Sequence, residues 1–104
     1  MTNTGENHPG NFVIEGNVWR YPGPGGWYFV NIGENESNFI RNFGDITRVG
    51  WGFVAISAKI GNTKWSTKLF PDKEKRYLIA IKADVRKKEH IKEGDNVCIE
   101  ITLL

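Results

Sequence analysis

A mainly β fold, made of two related halves that each carry one short helix, is what the sequence predicts, and three observations carry it. Ile and Val together number 18 against 8 for Leu and Ala, a balance that favours strands over helices. Glycine is frequent, at 12 of 104 residues, and much of it lies between apolar runs, where turns belong. The third observation is a nearly constant offset between the halves. Tyr28, Val30 and Ile32 lie 49 residues before Tyr77, Ile79 and Ile81, Gly44-Asp45 lies 50 before Gly94-Asp95, and Val49 lies 48 before Val97. A duplicated strand-helix-strand unit would produce this, its copies pairing about a pseudo-twofold axis because neither buries its apolar face alone. At roughly 100–200 residues per domain, the chain holds one.

The elements follow in order. Residues 1–11 are polar and turn-prone with no apolar period, so they read as a disordered tail, His8 included, ahead of a single domain over 12–104. Phe12, Ile14 and Val18 share a parity and predict a first strand, with Gly16 as a bulge. The cluster from Tyr21 to Gly26 (YPGPGG) is a loop. It runs into the apolar stretch Trp27–Ile32 rather than a helix start, which removes the phosphate-cradle reading of its glycines. Trp27–Ile32 is the second strand. Phe39, Ile40 and Phe43 then define a helical face, with Asn35 or Ser37 as N-cap and Gly44 as stop. A long strand from Thr47 to Ile60 meets another from Thr63 to Phe70 across Gly61-Asn62, a two-residue hairpin link. Arg76–Lys82 is the next strand. Ala83–His90 makes a second helix capped by Asp84, and the chain ends in a strand that alternates Val97, Ile99, Ile101 and Leu103 against Asn96, Cys98, Glu100 and Thr102.

Several function classes fall away on composition. The net charge of +2 is too small to announce a nucleic-acid protein. It is also lopsided, about −2 over residues 1–50 and about +4 over 51–104. The longest apolar runs are about four residues, against about 20 for a membrane helix, so no membrane partner is expected. No secretory leader is legible, and the lone Cys98 makes no internal disulfide, which points to a reducing, cytoplasmic setting. One Cys and two distant His supply no metal-ligand spacing, and no carboxylate pair or Ser/His/Asp spacing stands out. The expectation is a binding module for a small molecule or a protein, without enzymatic activity or cofactor.

Hairpin phasing points to where such a module would bind. Pairing Ile60 with Thr63 puts Val54, Ile56 and Ala58 on one face with Trp65, Thr67 and Leu69, an apolar set that should be buried. The repeat asks for the opposite parity, turning Val49, Trp51, Phe53 and Ala55 inward. Either the strand bends near Gly50 or Gly52, or Trp51 and Phe53 lie outside on an aromatic patch. The expected ligand site is Trp51 and Trp65 with Lys59, Lys64 and Lys68. Lysines interleaved with indoles suit stacking on a planar ligand, while core filling and edge protection are the plainer roles of the same residues. Lys59 and Lys64 face each other across the turn, a like-charge pair that an anion would relieve.

The second half, YLIAIKADVRKKEHIKEGDNVCIEI, resembles the swapped-hairpin unit of AbrB/MazE-type bacterial regulators. Their pattern is a strand, a Pro-Lys-x-hydrophobic-Arg helix start, then Gly-Asp before the last strand; here Ala80, Ile81 and Lys82 stand where Ile-Pro-Lys is usual. Over residues 12–104, the runs GGWYFV (Gly25–Val30) and WSTKLFP (Trp65–Pro71), the Val85-Arg86-Lys87 step and Gly94-Asp95 resemble a family of small bacterial domains of unknown function. Those domains are single-chain double-split β-barrels, sometimes fused to a YdeI-like domain linked to bacteriocin protection. Gly33 departs from a frequent proline and Lys68 from a serine. The resemblance implies a double-split β-barrel and lends no activity. The regulator likeness implies, as an alternative, DNA binding through Arg86 with Lys82, Lys87 and Lys88 on the phosphates. A solvated helix face explains the same cations, and Glu34 and Glu36 in the first copy argue against a symmetric clamp.

Overall fold

Period-two alternation builds most of this molecule. The computed structural model describes residues 11–43, 48–49, 53–72 and 76–104. Its elements are β1 (Asn11–Asn17), β2 (Trp19–Arg20), β3 (Tyr28–Asn31), α1 (Glu34–Phe43), β4 (Arg48–Val49), β5 (Phe53–Ile60), β6 (Thr63–Pro71), β7 (Tyr77–Ala80), α2 (Ala83–Glu89) and β8 (Asn96–Leu103). All strand pairs are antiparallel, in the order β1-β8-β5-β6-β7-β3-β2, with β4 on the start of β5. The sheet curls into a half-barrel around Val30, Ile32, Val54, Ile56, Leu69, Ile79, Ile99 and Ile101, each at most 1% exposed. Burying an aliphatic side chain of this size contributes about 1.5–3 kcal/mol, so this inner face dominates stability.

Residues 11–20 hold both ends of the curl. β1 pairs with β8 and β2 with β3, and between them Val18, 2% exposed, donates its N–H to Asp95 O and accepts from Gly94 N, at 2.8 and 2.7 Å. The bend thus comes at Val18. Gly16, expected to bulge, stays in regular register opposite Val97. Its missing side chain serves another purpose, because a Cβ there would lie 3.0 Å from Val30 Cγ1.

The Gly61-Asn62 hairpin has the expected register, with Ile60 opposite Thr63, Ala58 opposite Trp65 and Val54 opposite Leu69. The single strand expected from Thr47 to Ile60 divides instead, since β4 runs antiparallel to β5 with Val49 opposite Phe53. Hairpin parity prevails over repeat parity: Val54, Ile56, Ala58 and Ile60 are buried, while Phe53 and Ala55 sit half-buried on the outer face. The buried Trp65 and Leu69 of β6 and Val97, Ile99, Ile101 and Leu103 of β8 outweigh a pattern borrowed from the other half. In β8, Val97, Ile99, Ile101 and Leu103 all point inward as expected.

Both helices begin differently from the caps predicted for them. α1 starts at Glu34, and Ser37 is inside it, 1% exposed, its hydroxyl donating to Ile32 O at 3.3 Å and accepting from Tyr77 N at 3.1 Å. The serine ties helix to sheet rather than capping. Ile40 is buried beneath α1, but Phe39 remains 44% exposed and packs edge-on against Phe12 of β1. α2 follows Lys82, whose side chain makes no cap bond, and Asp84 lies in the first turn, where its charge favours the helix dipole. His90 ends the helix in the left-handed conformation, φ 56°.

Candidate functional site

Outward positions on β2, β3, β6 and β5 carry rings where an exposed sheet face would ordinarily carry polar groups. Trp19 lies opposite Phe29 with centroids 5.3 Å apart, Phe29 meets Phe70 at 6.2 Å, and Phe70 meets Phe53 at 5.1 Å. Phe29 and Phe70 reach each other over β7, where the residue opposite Phe29 is the small Ala80. Trp27 lies parallel to Phe29 at 6.0 Å and edge-on to Phe70 at 6.4 Å, while Tyr21 stands edge-on to Phe29 at 6.5 Å. Tyr21, Trp27, Phe29 and Phe70 wall a groove of about 190 Å³. Trp27 and Tyr21 are 48% and 46% exposed. Two large rings thus stand half in water on one patch.

The Tyr21–Gly26 loop sets the Trp27 indole. Gly25 has φ +101°, a conformation that disfavours any side chain, and a Cβ there would fall 2.8 Å from Trp27 Nε1. The loop closes on itself through Tyr21 N donating to Trp27 O at 2.9 Å. Trp19 is fixed by its Nε1, which donates to Asn31 Oδ1 at 2.8 Å.

On the other side of Trp27 lies a second cavity, of about 250 Å³, between the Gly25–Gly26 loop, the end of β7 and the start of α2. Its charged residues are Arg86 and Lys82. The Arg86 guanidinium carbon stands 3.8 Å from the centre of the Tyr28 ring, and Nε donates to Ile81 O at 3.1 Å. The loop that leads to no helix in sequence therefore lies against one in space. Together the two cavities reach the lower end of the roughly 300–1,000 Å³ typical of ligand pockets.

Of the residues expected to bind a ligand, Trp65 is kept apart from the three lysines. Trp65 is on the inner face, 9% exposed, with its Nε1 buried and no hydrogen-bond partner among the described residues. Lys59, Lys64 and Lys68 occupy the opposite parity of the same hairpin, so indole and lysines face different sides of the sheet. Trp51 lies outside the described residues. Lys59 and Lys64 are directly opposite, and β8 places Glu100 across from Lys59 on its other side. Of the four cations expected to meet DNA, Arg86 is half-buried against Tyr28, Lys82 is exposed at the same cavity, and Lys87 and Lys88 are exposed on α2.

The aromatic groove was missed by sequence reasoning, although a signal existed. Trp27 and Phe29 share the parity that leaves Val30 and Ile32 inward, and Phe70 shares the parity of Lys64, Ser66 and Lys68. Rings on a polar parity are the clue. Among the described residues no three His, Cys, Asp or Glu side chains gather as metal ligands, and no helix is long and apolar enough to cross a membrane. Residues 15–101 match the family described as "Domain of unknown function (DUF1905)". No curated protein matches the chain.

Proposed function

The chain belongs to the DUF1905 family of domains of unknown function, and from that premise we propose that it is a non-enzymatic binding module whose ligand is a small molecule with a flat apolar part. One observation carries the reading: four rings from the loop, β3 and β6 wall an open groove, and two of them stay about half exposed. Leaving such rings in water forgoes burial worth about 25 cal/mol per Å² of apolar surface, which a flat ligand would recover. The reading includes the reducing, cytoplasmic setting expected from lone Cys98 and the bacterial family the sequence resembles.

It also includes a double-split barrel made of two copies of one unit. Supporting it, Val30 lies opposite Ile79, flanked by two equivalent bonds, Ile32 N to Tyr77 O and Ile81 N to Tyr28 O, both 2.9 Å. α1 begins at Glu34 after β3 ends at Asn31, and α2 begins at Ala83 after β7 ends at Ala80. The spacing is the same in both.

The test is a titration of the ¹⁵N-labelled protein with neutral aromatic fragments such as benzyl alcohol and indole. Saturable shifts of the Trp27 indole N–H and of the Phe29 backbone amide are the expected outcome; Phe70→Ala should abolish both, and Trp27→Ala the amide shift. Shifts that survive both substitutions would remove the groove as the site. Anisotropy with duplex and single-stranded oligonucleotides at about 50 to 200 mM salt is the parallel arm. Affinity there that falls by orders of magnitude with salt would replace this reading with DNA binding through Arg86, Lys82, Lys87 and Lys88.

A further inference from the structure

We propose that the cavity beside Arg86 is an anion subsite, taking a carboxylate or phosphate carried by the same ligand whose flat part lies in the groove; the inference rests on that reading of the groove. Arg86 is half-buried, yet only one of its five N–H donors has a partner among the described residues, the Nε bond to Ile81 O. The terminal nitrogens, with four N–H groups, have no hydrogen bond or ion pair among those residues. A guanidinium stays charged in proteins, so withdrawing it from water without a carboxylate leaves its charge unmatched. The Tyr28 face offsets part of this. It also holds the group: ring and carbonyl fix the side chain at two points, presenting a fork shaped for a planar or tetrahedral oxyanion.

The surroundings agree with that ligand chemistry. Lys82 lines the same cavity, and no Asp or Glu among the described residues does, so their charged lining is cationic. Trp27 lines both cavities, so a ligand with a ring in the groove can carry its anion past the indole edge to Arg86. One residue joins the two subsites.

The experiment titrates the ¹⁵N-labelled chain, at constant ionic strength, with inorganic phosphate, acetate, phenyl phosphate, benzoate and benzyl alcohol, following the Arg86 Nε–H and Trp27 indole N–H resonances. At least one of the two free anions should shift Arg86 saturably, which also separates phosphate from carboxylate. The matching aromatic anion should bind about tenfold or more tighter than benzyl alcohol. Arg86→Gln should remove that advantage and leave benzyl alcohol unchanged, and Lys82→Gln, at an exposed position, should weaken the aromatic anion about threefold. If Arg86→Gln fails to fold, Arg86→Lys replaces it and should lose most of the advantage, because a point charge lacks the fork. Aromatic anions binding no tighter than benzyl alcohol, or equally well after both substitutions, would overturn the subsite while the groove stands. If benzyl alcohol leaves Trp27 unmoved while phosphate or acetate still shifts Arg86, the groove reading fails and the anion site alone remains.

Discussion

Ser37 shows how much one small side chain can hold. Its hydroxyl gives its proton to Ile32 O and receives one from Tyr77 N, so a helix residue satisfies groups at the end of β3 and the start of β7. At 1% exposed it has no water to replace either bond. Ser37→Ala should cost about 1–3 kcal/mol, because the Tyr77 N–H is left buried without an acceptor. For a domain of this size each kcal/mol lowers Tm by about 4–8 °C. Thermal unfolding followed by circular dichroism checks this, and an unchanged Tm would show that Tyr77 N finds another acceptor. The sequence offers Ser37 as a cap because Ser is a capping residue near a helix start; what it could not show is that Tyr77, forty positions away, comes within reach. Arg86 is the converse. Its cationic type was legible, whereas the ring beneath it belongs to a distant strand.

Among the elements, the β5–β6 hairpin was the most legible, because a two-residue turn fixes register and register fixes which parity is buried. Its outer face holds Lys59 directly opposite Lys64, a like-charge pair that is unfavourable at that separation. Lys64→Glu should therefore stabilise the protein by about 0.2–1 kcal/mol. The gain should shrink as salt rises from about 0.05 to 1 M, since screening shortens from about 14 to 3 Å over that range. Urea unfolding at two salt concentrations measures it, and a loss of stability would mean that Glu100, across from Lys59 on β8, repels the new carboxylate more than the lysine attracts it. The aromatic groove was not legible by the same logic. Its four rings come from a loop and two strands joined only through β7, and parity within one strand says nothing of what lies two strands away.

Across the whole molecule, strand pairing is unequal between the halves. Among the described residues, only β2 and β3 pair within 1–50, whereas 51–104 keep the continuous path β8-β5-β6-β7. The remaining ladders, β1 with β8, β3 with β7 and β4 with β5, all cross the midpoint. A two-stranded ribbon is at best marginal in water, while four strands with one apolar face can persist, though with that face uncovered. A fragment of residues 1–50 should accordingly be unfolded alone, and 51–104 should retain strand signal with loose side-chain packing and bind hydrophobic dye. Mixed at tens of micromolar, the two should recover the amide spectrum of the intact chain, because the crossing ladders and the core they enclose re-form together. Fragment 1–50 folding alone would mean that α1 and its strands stabilise one another without β7 and β8. Failure of the mixture to recover would mean that the covalent link between β4 and β5 is required: without it, the translational and rotational freedom lost when two separate halves associate exceeds what the shared interior returns.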